Sequence, residues 1–101
     1  MIVKKGNSEY LFVMGGKADT HKTWLKTTER LNLTGITKNN KDIMWEMSAD
    51  MHEARSNFAA TVIDNFVYVF GGISGKTETH TPVIAKSIEC YDPNTNLWHE
   101  I

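Results

Sequence analysis

The sequence has little cysteine and no long apolar run. Its one cysteine, Cys90, cannot form an internal disulfide, and this scarcity is typical of a protein from a reducing, cytoplasmic compartment. No apolar run approaches the roughly 20 residues that a membrane-spanning helix needs. The first residues also lack an uninterrupted apolar core and a small-residue cleavage site. We therefore expect no signal peptide and no membrane partner.

The sequence also lacks an excess of charge of one sign. Eleven Lys and Arg side chains stand against 12 Asp and Glu, which leaves a formal net charge of −1. A nucleic-acid-binding domain would normally carry a basic patch or stripe, so we expect no nucleic-acid partner. The chain has 101 residues, which is the size of one domain, and its 41% hydrophobic content is ordinary for a soluble protein.

What the sequence does contain is an internal repeat. The segment YLFVMGG at 10–16 matches FVYVFGG at 66–72 in the character of each position, 56 residues further on. Trp45 and Trp98 follow these segments and lie 53 residues apart, and Leu31 occupies in the first unit the place of Tyr91 in the second. Landmarks that recur in the same order at nearly the same spacing indicate a repeat architecture.

The pattern inside each unit predicts short strands. Residues 66–70 are apolar at every position, which favours a strand covered on both faces. Asp64-Asn65 is a two-residue turn signal before it, and a turn containing Pro93 follows later. The second unit is thus predicted to have strands at 57–63, 66–70, 87–91 and 97–101. Four antiparallel strands in a unit of about fifty residues make the blade of a β-propeller.

At these residues the sequence resembles the Kelch repeat. The second unit has an Arg before its first strand (Arg55), a strand that ends in two glycines, the segment Glu89-Cys90-Tyr91-Asp92, and a Trp seven residues after Tyr91. The resemblance implies an all-β fold of two four-stranded antiparallel blades, as part of a larger Kelch-type propeller. Residues 1–50 would be a first blade, incomplete at its N-terminus with a shortened strand 1, and residues 51–101 a second blade.

The resemblance also implies structural roles for the shared residues. Paired glycines allow positive φ and the close approach of a neighbouring blade, and the large aromatic residues supply contacts between adjacent blades. Arg55 would bridge carboxylates or carbonyls in the layer between blades, with Glu89 as a plausible partner. The structural set is Gly15, Gly16, Trp45, Arg55, Gly71, Gly72, Glu89, Tyr91 and Trp98.

The sequence offers no convincing catalytic, metal or cofactor site. Gly75-Lys76-Thr77 resembles the end of a phosphate-binding loop, but the first glycine of that motif is replaced by Phe70 and no helix pattern follows. The histidines lack the spacing of a metal motif, and no base is suggested beside a Ser or Cys nucleophile. We therefore expect no enzyme activity, no cofactor and no bound metal.

The remaining interpretation is a protein-interaction module. In an antiparallel blade the strand 2–3 and 4–1 connections emerge at one end, here about 17–26, 48–54 and 73–86. These connections would bind a partner protein for substrate recruitment or scaffolding, with Trp24, Lys76, Glu78 and His80 as candidate contacts. The alternative is a structural subunit that packs within a large assembly without recruiting a substrate. We expect a cytoplasmic protein, associated with the cytoskeleton or a complex, that is completed by further blades or another chain.

Overall fold

Every regular element that the structure describes is a β-strand. The computed structural model describes residues 1–6, 8–18, 23–34, 44–75 and 82–101. The β-branched and aromatic residues of these segments pack well on a pleated surface. The strands in these ranges are β1 (Ile2–Lys5), β2 (Ser8–Ala18), β3 (Thr23–Asn32), β4 (Trp45–Ser48), β5 (Ala59–Ile63), β6 (Phe66–Phe70), β7 (Ile73–Gly75), β8 (Pro82–Ile84), β9 (Ile88–Asp92) and β10 (Leu97–Glu100).

The two repeated units form two four-stranded antiparallel sheets. The first has the order β1-β2-β3-β4 and the second has the order β10-β9-β6-β5. The predicted all-β fold of two such sheets is therefore confirmed. Asp64 and Asn65 form the predicted turn between β5 and β6 with φ values of 49° and 67°, which is the left-handed conformation that this type of hairpin needs. β1 has four residues against five in β5.

Two parts of the prediction were wrong because segments expected to be loops form strands. β2 continues past the glycine pair to Ala18, and β3 begins at Thr23, so most of 17–26 is strand rather than loop. The register shifts between Met14 and Gly16, and this β-bulge lets the strand continue. The segment 73–86 likewise contains β7 and β8, which pair as a separate two-stranded sheet.

Residues that pair across neighbouring strands form rows, and these rows show which positions of the two sheets correspond. In the first sheet Leu31 pairs with both Leu11 and Trp45; we call these three residues the first tryptophan row. The second tryptophan row is Val67, Tyr91 and Trp98, with Tyr91 at the centre. The pairing places Leu31 and Tyr91 at the same position of their sheets, as the repeat predicted.

The core lies between the two sheets. It consists of residues with almost no exposed surface: Val3 and Phe12 from the first sheet, Met51 from the connecting segment, and Val67, Val69, Tyr91 and Trp98 from the second sheet. Complete burial of one such side chain stabilises the fold by about 1.5–3 kcal/mol. The two sheets therefore pack against each other through this core, and the second tryptophan row forms much of the contact.

Candidate functional site

The segment 49–58 joins the two sheets and lies against both. The Met51 amide donates to the Lys26 carbonyl at 2.8 Å, and the Arg55 amide donates to the Leu25 carbonyl at 3.1 Å. On the other side, Ser56 forms a two-way backbone bridge with Ile73. The segment is thus fixed by β3 of the first sheet and by β7, which continues from the second.

The Arg55 side chain is buried, and carboxylate, carbonyl and hydroxyl groups surround its guanidinium. Its Nη2 atom lies 2.9 Å from Glu89 Oε2, and neither side chain has any exposed surface. Nη1 donates to the Ser87 carbonyl at 2.9 Å, Nη2 also donates to the Ser87 hydroxyl, and Glu53 Oε2 accepts from Nη2 at 3.3 Å. The sequence suggested Glu89 as a partner but missed Ser87 and Glu53. Glu53 lies only two residues before Arg55 in the sequence, and this proximity was the available signal.

Glu89 is held by the backbone as well as by Arg55. Its two carboxylate oxygens accept hydrogen bonds from the amides of His52 and Glu53. Such an arrangement satisfies a buried negative charge, which would otherwise cost several kcal/mol. Glu89 has no surface with which to contact a substrate, so it fastens the segment 49–58 to the second sheet.

Tyr91 and Trp98 lie at the interface between the sheets. The Tyr91 ring is 5.2 Å from the Phe12 ring across the interface and 5.1 Å from the Trp98 ring, measured between centroids. The Trp98 indole donates to the Ala49 carbonyl at 3.0 Å. Trp45 was also predicted to lie between blades, and it takes no part in the contact between these two sheets. It lies on the opposite face of the first sheet with 47% of its surface exposed.

All four glycines of the two pairs have positive φ. A Cβ atom on Gly15 would lie 2.6 Å from the Arg55 carbonyl oxygen and 2.9 Å from the Phe58 ring, so Gly15 allows segment 49–58 to approach β2. A Cβ atom on Gly72 would overlap the Ser56 carbonyl and lie 2.8 Å from Phe58. Gly16 and Gly71 have open space instead. One glycine of each pair therefore permits a close contact, and the other only supplies the positive φ.

The candidate contact Trp24 is not a loop residue. It belongs to β3, where it pairs with Lys17, and it is half-buried. Its indole donates to the Ser56 hydroxyl at 3.1 Å, and its ring packs so tightly on Gly75 that a Cβ there would overlap it. Trp24 therefore packs β3 against the segment 49–58 and β7. The other candidates, Lys76, Glu78 and His80, lie outside the described residues.

A cavity marks the end of the second sheet where the strand 2–3 and 4–1 segments meet. The turns at 64–65 and 93–96 lie at the opposite end, because antiparallel strands alternate in direction. We call residues 49–57 with β7 and β8 the loop end. The cavity beside it has a volume of about 660 Å³ and is lined by Glu53, Val83, Ile84, Lys86, Ser87, Glu100 and Ile101.

Ile84 is the most exposed large apolar side chain of the loop end. It is 77% exposed, and Val83 beside it is 41% exposed. Charged groups of both signs, Glu53 and Lys86, lie on the same cavity. An apolar centre with a charged rim is the usual anatomy of a protein-binding surface.

Potential reactive groups are few in the part of the chain that the structure describes. No cluster of three or more His, Cys, Asp or Glu side chains suitable for a metal is found there. Tyr68 and Cys90 face each other across β6 and β9. The hydrogen bond with Cys90, followed by the charge interaction with the same thiol, raises the pKa of Tyr68 above its ordinary value of 10.0. Within the described ranges no helix is long and apolar enough to cross a membrane.

Comparison with known proteins identifies relatives of both sheets. The profile of the Kelch motif matches residues 54–101. An F-box/kelch-repeat protein of Arabidopsis thaliana is 42% identical over 57 residues, which is 56% of this chain and 16% of that protein. An N-acetylneuraminate epimerase of Vibrio cholerae is 35% identical over 74 residues, which is 70% of this chain and 18% of that protein.

A solved structure shares the arrangement of the whole chain. The structure of YjhT, a Kelch β-propeller, covers 99% of this chain with a TM-score of 0.64 and 22% sequence identity. The match takes up 25% of the YjhT chain. Since the identity is low, this likeness shows the fold alone. The present chain spans less than a fifth of the length of the two relatives above.

Proposed function

We propose that this chain, a member of the Kelch-repeat family, is a non-catalytic protein-interaction module that binds a partner protein through its loop end. The observation that carries the proposal is the exposed apolar pair Val83 and Ile84 on the 660 Å³ cavity, next to Glu53 and Lys86. Contiguous exposed apolar residues with a polar rim mark interaction sites more often than plain surface.

The residues that define the repeat support the same proposal, because they are buried and do not take part in recognition. Arg55, Glu89 and Tyr91 have no exposed surface, and their hydrogen-bonding groups are directed at other parts of the chain. They build the scaffold, and a scaffold with fixed sheets leaves its connecting segments to carry recognition. The module would recruit a substrate or join components of a scaffold in the cytoplasm.

Two other roles are alternatives. The similarity to an epimerase suggests a catalytic role, in which the loop end would bind a carbohydrate. Glu89 is wholly buried and Glu53 is bonded to Arg55 and Ser87, and these two carboxylates favour the non-catalytic role. Glu100, which lines the same cavity, is exposed and is the carboxylate that a catalytic role would use. The second alternative is a structural subunit that packs within a large assembly and recruits no substrate.

A matched pair of substitutions tests the proposal. Ile84→Lys places a charge at the loop end, and Met44→Lys places one at a residue with the same exposure, 76% against 77%, just before β4. Tagged wild-type chain, Ile84→Lys and Met44→Lys would each be incubated with cytoplasmic extract, and the retained proteins quantified by mass spectrometry. We expect at least one protein that wild-type and Met44→Lys retain and Ile84→Lys loses.

One result would contradict the proposal. If Ile84→Lys and Met44→Lys retain identical sets of proteins while circular dichroism shows both folded, the loop end does not bind a partner. Loss of epimerase-type activity in Ile84→Lys, measured on N-acetylneuraminate by NMR, would favour the catalytic alternative instead.

A further inference from the structure

A second, smaller cavity lies between the two repeats at the loop end. Its volume is about 200 Å³, and we call it the small cavity. Pockets for drug-sized ligands usually measure about 300–1,000 Å³, so the small cavity fits one amino-acid side chain rather than a cofactor. Its walls come from β2, β3, the segment 49–58, β7 and β8. The described residues that line it are Lys17, Trp24, Ser56, Asn57, Ile73 and Pro82.

Lys17 carries the one formal charge among the described residues of the small cavity. It pairs with Trp24 across β2 and β3, and its ammonium group lies 5.1 Å from the centroid of the Trp24 ring. A cation at this distance is attracted to the face of an aromatic ring, so the lysine side chain is held beside the ring. Within the described ranges no carboxylate lies at ion-pair distance from Lys17.

Two further side chains of the small cavity can donate a hydrogen bond. Ser56 is 6% exposed, and its hydroxyl oxygen accepts from the Trp24 indole at 3.1 Å. In the part of the chain that the structure describes, no acceptor is found for the hydroxyl proton of Ser56. The neighbouring Asn57 is exposed, and its amide group can also donate. An ammonium, a hydroxyl and an amide around one small cavity favour an anionic occupant.

The rest of the described wall is apolar. It consists of the Trp24 ring, Ile73 and Pro82, and Ile73 is 39% exposed. The two-way backbone bridge between Ser56 and Ile73 keeps this apolar wall next to the hydroxyl donor. A glutamate side chain matches both parts of the wall, because its methylene groups are apolar and its carboxylate is an acceptor.

We propose that the small cavity binds a glutamate side chain of the partner protein, with the carboxylate on Lys17 and Ser56 and the methylene groups on Trp24 and Ile73. This inference rests on the proposed function, since Ser56 and Ile73 belong to the loop end. It adds the chemistry of the partner, which is an acidic residue in the segment that contacts the loop end. Any other side chain would leave the lysine charge without a counterion in the small cavity.

Selection from a random heptapeptide library displayed on phage tests this inference. The library would be selected on the wild-type chain, on Lys17→Glu and on Lys5→Glu, which reverses an exposed charge of β1 outside the small cavity. We expect wild type and Lys5→Glu to enrich peptides with glutamate at one fixed position. Lys17→Glu should enrich peptides with lysine or arginine there, because reversal of the cavity charge reverses the preference.

Fluorescence anisotropy with one enriched peptide measures the size of the contribution. Glutamine in place of the peptide's glutamate, and Lys17→Met in the chain, should each weaken binding about tenfold or more. The two changes together should weaken binding little more than either alone, since both remove the same contact. Aspartate in the peptide should bind more weakly than glutamate, because its shorter stem has one methylene group fewer. Near-native circular dichroism of the Lys17 variants confirms that the fold is kept.

Four outcomes would overturn the inference. They are a wild-type chain that enriches no peptide, enriched peptides without an acidic preference, identical peptides on wild type and Lys17→Glu, and strictly additive effects in the anisotropy measurement. Ile84→Lys separates this inference from the proposed function. Peptides that Ile84→Lys loses and Lys17→Glu keeps would contradict the small cavity alone. Glutamate-dependent binding that depends on Lys17 and survives in Ile84→Lys would support the small cavity and contradict the role of Ile84.

Discussion

Arg55 and Glu89 form an ion pair with 2.9 Å between Nη2 and Oε2, and both side chains are wholly buried. The pair joins the connecting segment 49–58 to β9. Removing one partner leaves an uncompensated buried charge, whereas removing both does not. The pair is therefore a position where a single substitution should strongly destabilise the second sheet.

Arg55→Met is expected to lower the free energy of unfolding by about 3–5 kcal/mol, because Glu89 would remain charged and buried. The free energy would be measured by urea denaturation followed by circular dichroism. In the double variant Arg55→Met/Glu89→Leu the loss should be smaller than the sum of the two single losses. Strict additivity of the three values would show that the two groups do not interact.

The two repeat tryptophans should differ sharply in their contribution to stability. Trp98→Ala removes a side chain from the core and should cost about 3–5 kcal/mol. Trp45→Ala at the same position of the first sheet should cost about 1 kcal/mol or less, because Trp45 is largely exposed. Urea denaturation at low protein concentration gives both values. Equal losses would contradict the placement of the two rows.

The glycines of the second pair should tolerate alanine to different degrees. Both have similar positive φ, 71° for Gly71 and 85° for Gly72, so the backbone strain of about 1–3 kcal/mol is common to them. Only at Gly72 does the added methyl group meet Ser56 and Phe58. Thermal denaturation should therefore show a clearly lower midpoint for Gly72→Ala than for Gly71→Ala, and the reverse order would contradict the contact.

The phenol of Tyr68 should ionise only at a pH above its ordinary pKa of 10.0, because the hydrogen bond with Cys90 favours its protonated form. The folded-state pKa is raised, so this contribution to stability is present below the unfolded pKa and is lost as the pH rises through the folded pKa. Absorbance at the tyrosinate band would be followed in wild type and Cys90→Ala. The shift should become smaller in Cys90→Ala, because the two largest causes involve Cys90, and Tyr68→Phe identifies which transition belongs to Tyr68.

The sequence predicted the repeated scaffold well because its signals are local. The uninterrupted apolar run 66–70 matches β6 at both ends, and Asp64-Asn65 forms the expected turn. The order of the landmarks also gave Leu31 in the first unit the position that Tyr91 has in the second unit. These features depend on side chains a few residues apart, so no tertiary information was needed.

The loop end was predicted less well because its structure depends on contacts between distant segments. β7 and β8 have three residues each, which is too short for a pattern of alternation to be recognised. Trp24 lies in a mostly polar stretch of the sequence, and its place in β3 follows from contacts with Ser56 and Gly75, about 30 and 50 residues further along the chain. A tryptophan predicted to lie in a loop therefore lies in a strand, where it packs against the segment 49–58 and β7.

Hydrogen exchange of the chain with and without a captured partner tests the central claim most directly. That claim is that the loop end carries recognition and that the repeat residues carry the scaffold. We expect added protection of the backbone amides in 49–57 and in β7 and β8, with none at the turns 64–65 and 93–96. Protection confined to those turns, with the loop end unchanged, would contradict it.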